Sequence, residues 1–155
     1  MTIDQTDRRI LRVLQENGRI TNQELAERVG LSPSPCLRRL RRLEAAGVIR
    51  GYTALVDQKA YGLPINVFVS IKLKHQNEAD IAEFEKAIAG WEEVVACYLM
   101  TGSQDYLLRV VTDGLESYER FVKAKLTRLK CVSAIESNFA MGIVKDGAVF
   151  PSVIP

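Results

Sequence analysis

One stretch narrows the fold of this 155-residue chain more than any other: Leu31-Ser32-Pro33-Ser34-Pro35-Cys36-Leu37-Arg38-Arg39-Leu40-Arg41-Arg42-Leu43. It reads as a single helix with a sharply defined start. Ser32 stands where its hydroxyl can accept from the free N–H groups of the first turn. Pro33 falls at the first helical position, where no amide hydrogen is needed. At about 100° per residue, Cys36, Leu37, Leu40 and Leu43 gather on one side. Ser34, Arg38 and Arg42 align on the other, flanked by Arg39 and Arg41. An apolar back with an arginine front suits an anionic partner, because the planar guanidinium matches phosphate oxygens and the O6/N7 edge of guanine.

The neighbouring residues give that helix a context. Asp4 can cap a helix that carries Ile10, Leu11 and Leu14 on one face and ends near Asn17-Gly18. Thr21-Asn22-Gln23-Glu24 has the spacing of a capping box. The helix it opens buries Leu25, Ala26 and Val29 and stops at Gly30, with only Leu31 before the Ser32 cap. Two capped helices around a short glycine turn are the helix-turn-helix pattern. Gly47 closes the third helix, and residues 48–56 carry strand character, so residues 1–56 are expected to form a winged helix-turn-helix domain that binds double-stranded DNA. In that geometry the N-terminal part of the second motif helix meets base edges in the major groove. Ser34 and Arg38 are expected to read bases, with Arg42 further along the same face and Pro35 offering an apolar surface to a thymine methyl. Arg39 and Arg41 are expected to hold phosphates, which position the protein without specifying sequence.

Charge distribution agrees with a local footprint. Residues 1–62 hold 11 Lys and Arg against 7 Asp and Glu, whereas residues 63–155 hold 10 against 12. A basic first third on an acidic remainder fits a nucleic-acid surface confined to one domain. Cys36, Cys97 and Cys131 are far apart in sequence and His75 is the only histidine, so neither a zinc site nor any other metal or cofactor is expected. The cysteines read as buried thiols of a reducing compartment, with a redox role for Cys97 or Cys131 as the alternative. No secretory leader and no membrane-length apolar run is present, which places the chain in the cytoplasm as an expectation.

Residues 57–64, Asp-Gln-Lys-Ala-Tyr-Gly-Leu-Pro, break the pattern and read as a hinge. The remainder, 65–155, alternates as a sheet does. Residues 65–74 form a strand, 78–88 a helix, 94–101 and 106–112 two strands, 115–129 a helix and 133–144 a last strand. Leu115, Tyr118, Phe121, Val122 and Leu126 are expected inward. The order βαββαβ is the ferredoxin-like αβ sandwich, making the whole chain α+β. No nucleophile stands beside a base, Glu92-Glu93 read as solvated, and no enzyme activity is expected. The loop from Thr101 to Tyr106 admits two readings. Gly102 and Ser103 can offer backbone N–H groups to a carboxylate while Asp105 accepts from an ammonium, or Gly102 takes a positive φ in a tight hairpin and Asp105 caps the turn.

The residues Leu31 to Leu40, Arg42-Leu43-Glu44, Ala46-Gly47-Val48-Ile49, Thr101 to Val110 and Ser137-Asn138-Phe139-Ala140-Met141 resemble the Lrp/AsnC, or feast/famine, family of transcriptional regulators over nearly the full chain. The resemblance implies a winged helix joined to a sandwich known as the RAM domain, homodimers formed through the sheets and often assembled into octamers, and small effectors, usually amino acids, bound between subunits. It matches Gly102 and Asp105 to the family's effector loop and Ser137 to its small hydroxyl position, with Met100, Thr101, Ser103, Gln104 and Tyr106 nearby. Ser103-Gln104 departs from the acidic or aromatic residues many members carry there. The expected function is a sequence-specific transcriptional regulator that responds to a small molecule. An architectural DNA-organising protein with little sequence or effector dependence is the alternative.

Overall fold

The computed structural model describes residues 2–147 and 149–152. They divide into two compact units, residues 2–55 with 144–147 and 149–152, and residues 56–143.

The first unit contains α1 (Gln5–Glu16), α2 (Asn22–Val29) and α3 (Pro33–Ala45). Each start has a local chemical cause. Asp4 accepts from the Asp7 N–H and Asp7 reaches back to the Asp4 N–H, a reciprocal cap for α1. Thr21 and Glu24 do the same for α2. Gly30 ends α2 with φ of 72°, the left-handed conformation that costs glycine nothing. Ser32 occupies the cap position of α3, but its hydroxyl makes no cap bond. A cap oxygen ordinarily accepts from the second or third helical N–H, and the third residue here is Pro35, which has none. Ile10, Leu25, Ala26, Val29, Cys36 and Leu43 form the core, with Leu11, Leu14, Leu40, Val48 and Ile49 packed against it.

Residues 48–56, expected as a strand, carry no strand structure. A strand needs a partner, and every described strand belongs to the sheet of the second unit. The segment is instead fastened by its side chains. Tyr52 donates to the Glu44 carboxylate at 2.8 Å and lies against Gly18. Burial, then the Glu44 charge, pushes the Tyr52 phenol up to about 12.

The second unit contains β1 (Ile65–Leu73), α4 (Glu78–Ala89), β2 (Val94–Leu99), β3 (Tyr106–Thr112), α5 (Leu115–Ala124), a 3-10 turn (Leu126–Arg128) and β4 (Val132–Phe139). The strands are ordered β2-β3-β1-β4, each neighbouring pair antiparallel. Alternation along β1 sends Val67, Val69, Ile71 and Leu73 into a core with Phe84, Ile88, Tyr106, Leu108, Val110, Tyr118 and Phe121. Asn66, Phe68, Ser70 and Lys72 face the other way, beside Leu107 and Arg109 of β3.

Local details depart from the sequence reading. The last strand stops at Phe139, opposite Val67, with one further bond from the Ala140 N–H to the Asn66 carbonyl. Leu115 is 63% exposed, since the buried stripe of α5 begins one turn later with Tyr118 and Phe121. The 57–64 segment forms a hydrogen-bonded turn in the second unit, with Tyr61 N bonded to Asp57 O and Leu63 N to Gln58 O. Glu93 is half-buried and receives the Lys125 ammonium at 2.7 Å. Burial alone would raise its pKa, but the Lys125 contact holds it below the ordinary value. Cys36 and Cys131 are buried but Cys97 is exposed. Desolvation raises the thiol pKa of all three, the opposite of what makes a thiol reactive.

Candidate nucleic-acid interface and effector loop

The arginines of α3 fall into two pairs. Arg38 and Arg41 are exposed, as is Ser34. Neither arginine takes part in any ion pair among the described residues. Arg39 and Arg42 point to α1. Arg39 Nη1 donates to Asp4 Oδ2 at 2.6 Å and to Asp7 Oδ1 at 2.8 Å, and Arg42 Nη2 donates to Asp7 Oδ2 at 2.6 Å. The Asp7 side chain is fully buried. The Asp7 N–H and then the Arg39 guanidinium hold the Asp4 carboxyl at about 2, and the Asp4 and then the Asp7 carboxylate raise the Arg39 pKa. Pro35 is half-buried on that side. At the start of α3 a further tie comes from α2, where Asn22 Nδ2 donates to the Pro33 carbonyl at 2.9 Å.

Among the described residues, the exposed positions of this face without an ion pair are therefore Ser34, Arg38 and Arg41, whereas Arg42 is half-exposed but tied to Asp7. Sequence reasoning treated Asp4 as a cap and passed over Asp7. Its signal was present, since an acid three residues after an acidic cap is the third helical position of a capping box. Its second use, on arginines more than thirty residues away, needed the helices packed.

The loop between β2 and β3 is shaped by its own contacts. Gly102 has φ of 108°, a conformation that a side chain would strain. Met100 N donates to Asp105 O, and Asp105 N to Ile71 O. Asp105 is occupied: Oδ2 accepts from the Leu73 N–H at 2.7 Å and Oδ1 from Gln76 Nε2 at 2.6 Å. Both partners lie outside the hairpin, at and just beyond the end of β1, so Asp105 is neither an open acceptor nor the cap of its own turn. Gln104 differs, because its Oε1 is buried with no hydrogen-bond partner. Thr101 and Ser103 are exposed, Met100 is 41% exposed, and the Ser103 carbonyl accepts from Lys72 Nζ at 3.1 Å. Tyr106 points into the core and donates to Glu85 at 2.7 Å. Burial, then the Glu85 contact, raises its pKa well above the ordinary phenol value. Ser137 lies elsewhere, opposite Val69 on β4 and hydrogen-bonded to the Tyr118 hydroxyl.

Both units match known family models. Residues 3–50 match a winged helix-turn-helix DNA-binding model and residues 66–150 the Lrp/AsnC ligand binding domain. The chain belongs to the Lrp/AsnC family. Among Lrp/AsnC relatives, it is 44% identical over 144 residues to a leucine-responsive regulatory protein of Rhizobium meliloti, covering 93% of this chain and 92% of that one. A Bkd operon transcriptional regulator of Pseudomonas aeruginosa is 42% identical over 139 residues, covering 90% and 91%. The crystal structure of a Neisseria meningitidis transcriptional regulator in complex with L-Met superposes with a TM-score of 0.92 at 39% identity, covering 97% of each chain. A feast or famine regulatory protein of M. tuberculosis complexed with L-methionine gives 0.81 at 32% identity, covering 94% and 96%. This Lrp/AsnC chain is accordingly a winged-helix DNA-binding protein with an α+β fold, related throughout to transcriptional regulators. No helix of the described residues is long and apolar enough to cross a membrane.

Proposed function

We propose that this Lrp/AsnC protein is a sequence-specific transcriptional regulator whose DNA binding is set by an amino-acid effector acting on an oligomerising second domain. Ser34 and Arg38 read base edges, Arg41 holds a phosphate, and the 100–106 loop receives the effector. The observation that carries the effector reading is the buried, unpartnered Gln104 Oε1 in a loop whose Gly102 backbone is open to approach. An orphan acceptor of this kind costs free energy until a donor reaches it, and an ammonium group is such a donor. Asp105 serves the site by fixing the loop to the end of β1. Two solved relatives carry L-methionine in their complexes, which supports an amino-acid ligand here.

Calorimetry with each of the twenty amino acids is expected to give heat with at least one of them. Asp105→Ala should abolish that heat by releasing the loop. Silence across the set would dismiss the amino-acid effector.

The oligomer rests on the uncovered side of the sheet. Phe68 is 37% and Tyr98 56% exposed there, while both helices serve the opposite face. A two-layer unit stabilises such a face by covering it, and a second copy related by a two-fold axis also sets two recognition helices at one DNA-turn spacing. Sedimentation equilibrium of the full chain at micromolar concentration is expected to show a homodimer or a multiple of it up to the octamer. A monomer would rule this out.

A further inference from the structure

We infer that Asp7 is the positioning residue of the recognition helix, and that it keeps Arg39 and Arg42 away from DNA. The inference rests on the reading of α3 as the DNA-contacting helix.

Asp7 is a fully buried carboxylate on α1, and both of its oxygens accept hydrogen bonds. Oδ1 accepts from Arg39, and Oδ2 accepts from Arg42 and from the Asp4 N–H at 3.2 Å. Asp4 adds a second acceptor to the same Arg39 nitrogen. A buried carboxylate with two guanidinium partners is a costly arrangement compared with apolar packing. Its return is orientation. Arg39 and Arg42 are three residues apart and therefore neighbours on one face of α3. Anchoring both to a single carboxylate on α1 fixes the rotation of α3 about its own axis, which decides that Ser34, Arg38 and Arg41 face outward. Slipping that rotation by one residue would turn the helix by about 100° and replace the reading side chains.

The same contacts act on charge. Four arginines within five positions would make a strong but indiscriminate phosphate binder. One guanidinium nitrogen of Arg39 and one of Arg42 are engaged by Asp7 and Asp4, which leaves Arg38 and Arg41 as the cations of the helix without an ion pair among the described residues. Sequence choice depends on the ratio of specific to nonspecific affinity, and holding back half of the arginines raises that ratio.

The test uses the full-length protein, a duplex it selects from a random-sequence pool, and a scrambled duplex of equal length. Affinities for both are measured across a series of salt concentrations. Asp7→Asn is expected to lower the specific-to-nonspecific ratio at least about fivefold, the loss of one good base contact. It should also steepen the dependence of log K on log salt, by about 0.9 per chain for each released arginine that takes a phosphate. A residue that merely supports folding would weaken both affinities together and leave the slope unchanged, and that result overturns the inference. Should Asp7→Asn fail to fold, Arg42→Gln decides the matter on its own. It is expected to lower the ratio while leaving the slope as in the parent. A slope shallower by about 0.9 per chain would mean that Arg42 already holds a phosphate, which contradicts the inference while sparing the DNA-binding reading. If the parent protein selects no sequence from the pool, the sequence-specific reading fails and this inference fails with it.

Discussion

Arg38→Ala is expected to abolish site selection: affinity for the preferred duplex should fall by about 1–3 kcal/mol per recognition helix, the value of one bidentate base contact. Arg38 is exposed, lies one turn beyond Ser34 on the same side of α3, and is not engaged in the network that ties Arg39 and Arg42 to α1. Its planar fork is free to pair with a guanine edge, which a lysine's point charge would do less selectively. A dimer presents the contact twice, so the loss on a two-fold site compounds. Affinity for scrambled DNA should fall much less, because losing one cation among several phosphate contacts changes mainly the salt slope. Competition binding against both duplexes measures the two quantities together. Equal loss on both would reassign Arg38 to the backbone, and no loss on either would remove α3 from the interface.

Phe84→Ala should destabilise the second unit by about 3–5 kcal/mol, the usual cost of emptying a buried aromatic site. Phe84 is fully buried, its ring centroid stands 4.6 Å from that of Tyr106, and it joins α4 to the central strands. Natural domains have only about 5–15 kcal/mol of stability in total, so this one truncation should take a large share. Trp91 is the sole tryptophan, lies in this unit and packs edge-on against Phe121, which makes its fluorescence a direct reporter. Urea unfolding followed at Trp91 should show the midpoint move down with little change in slope. A loss below about 1 kcal/mol would mean that Phe84 is not the centre of the core, since values that small belong to surface sites. Effector binding should weaken as well, because Phe84 packs on Tyr106 at the end of the 100–106 loop.

Much of the architecture was legible because it is written in neighbouring residues. The strand read over residues 65–74 is present as Ile65–Leu73, with Val67, Val69 and Ile71 buried and Phe68 exposed. The Thr21–Glu24 spacing announced a capping box that is present, and Gly30 announced a left-handed turn. These features depend on contacts a few residues apart, so their signals survive in one dimension. The resemblance to Lrp/AsnC proteins drew on longer motifs and extended the same reading to the whole chain.

What failed had a partner far away or lacked one altogether. Residues 48–56 have strand composition but no neighbouring strand to pair with. Ser32 has the right side chain for a cap but makes no cap bond, and Pro35 removes one of the two donors it could use. Arg39, Arg41 and Arg42 look alike in sequence, and only the packing of α1 against α3 separates Arg41 from the other two. In the loop, Asp105 has the chemistry of a ligand acceptor, yet the end of β1 and Gln76 claim both oxygens first.

Residue order alone was enough to start the helices and the four strands of the sandwich, to mark most of the faces they bury, and to show an arginine-rich helix after a glycine turn. Those outcomes follow from backbone geometry, side-chain periodicity and local capping. Tertiary structure alone decided which arginines remain free, because a buried carboxylate on α1 binds two of them across more than thirty residues of chain. It also decided which acceptor in the 100–106 loop is left open, since Asp105 is spent on strand ends that meet only once the sheet is formed.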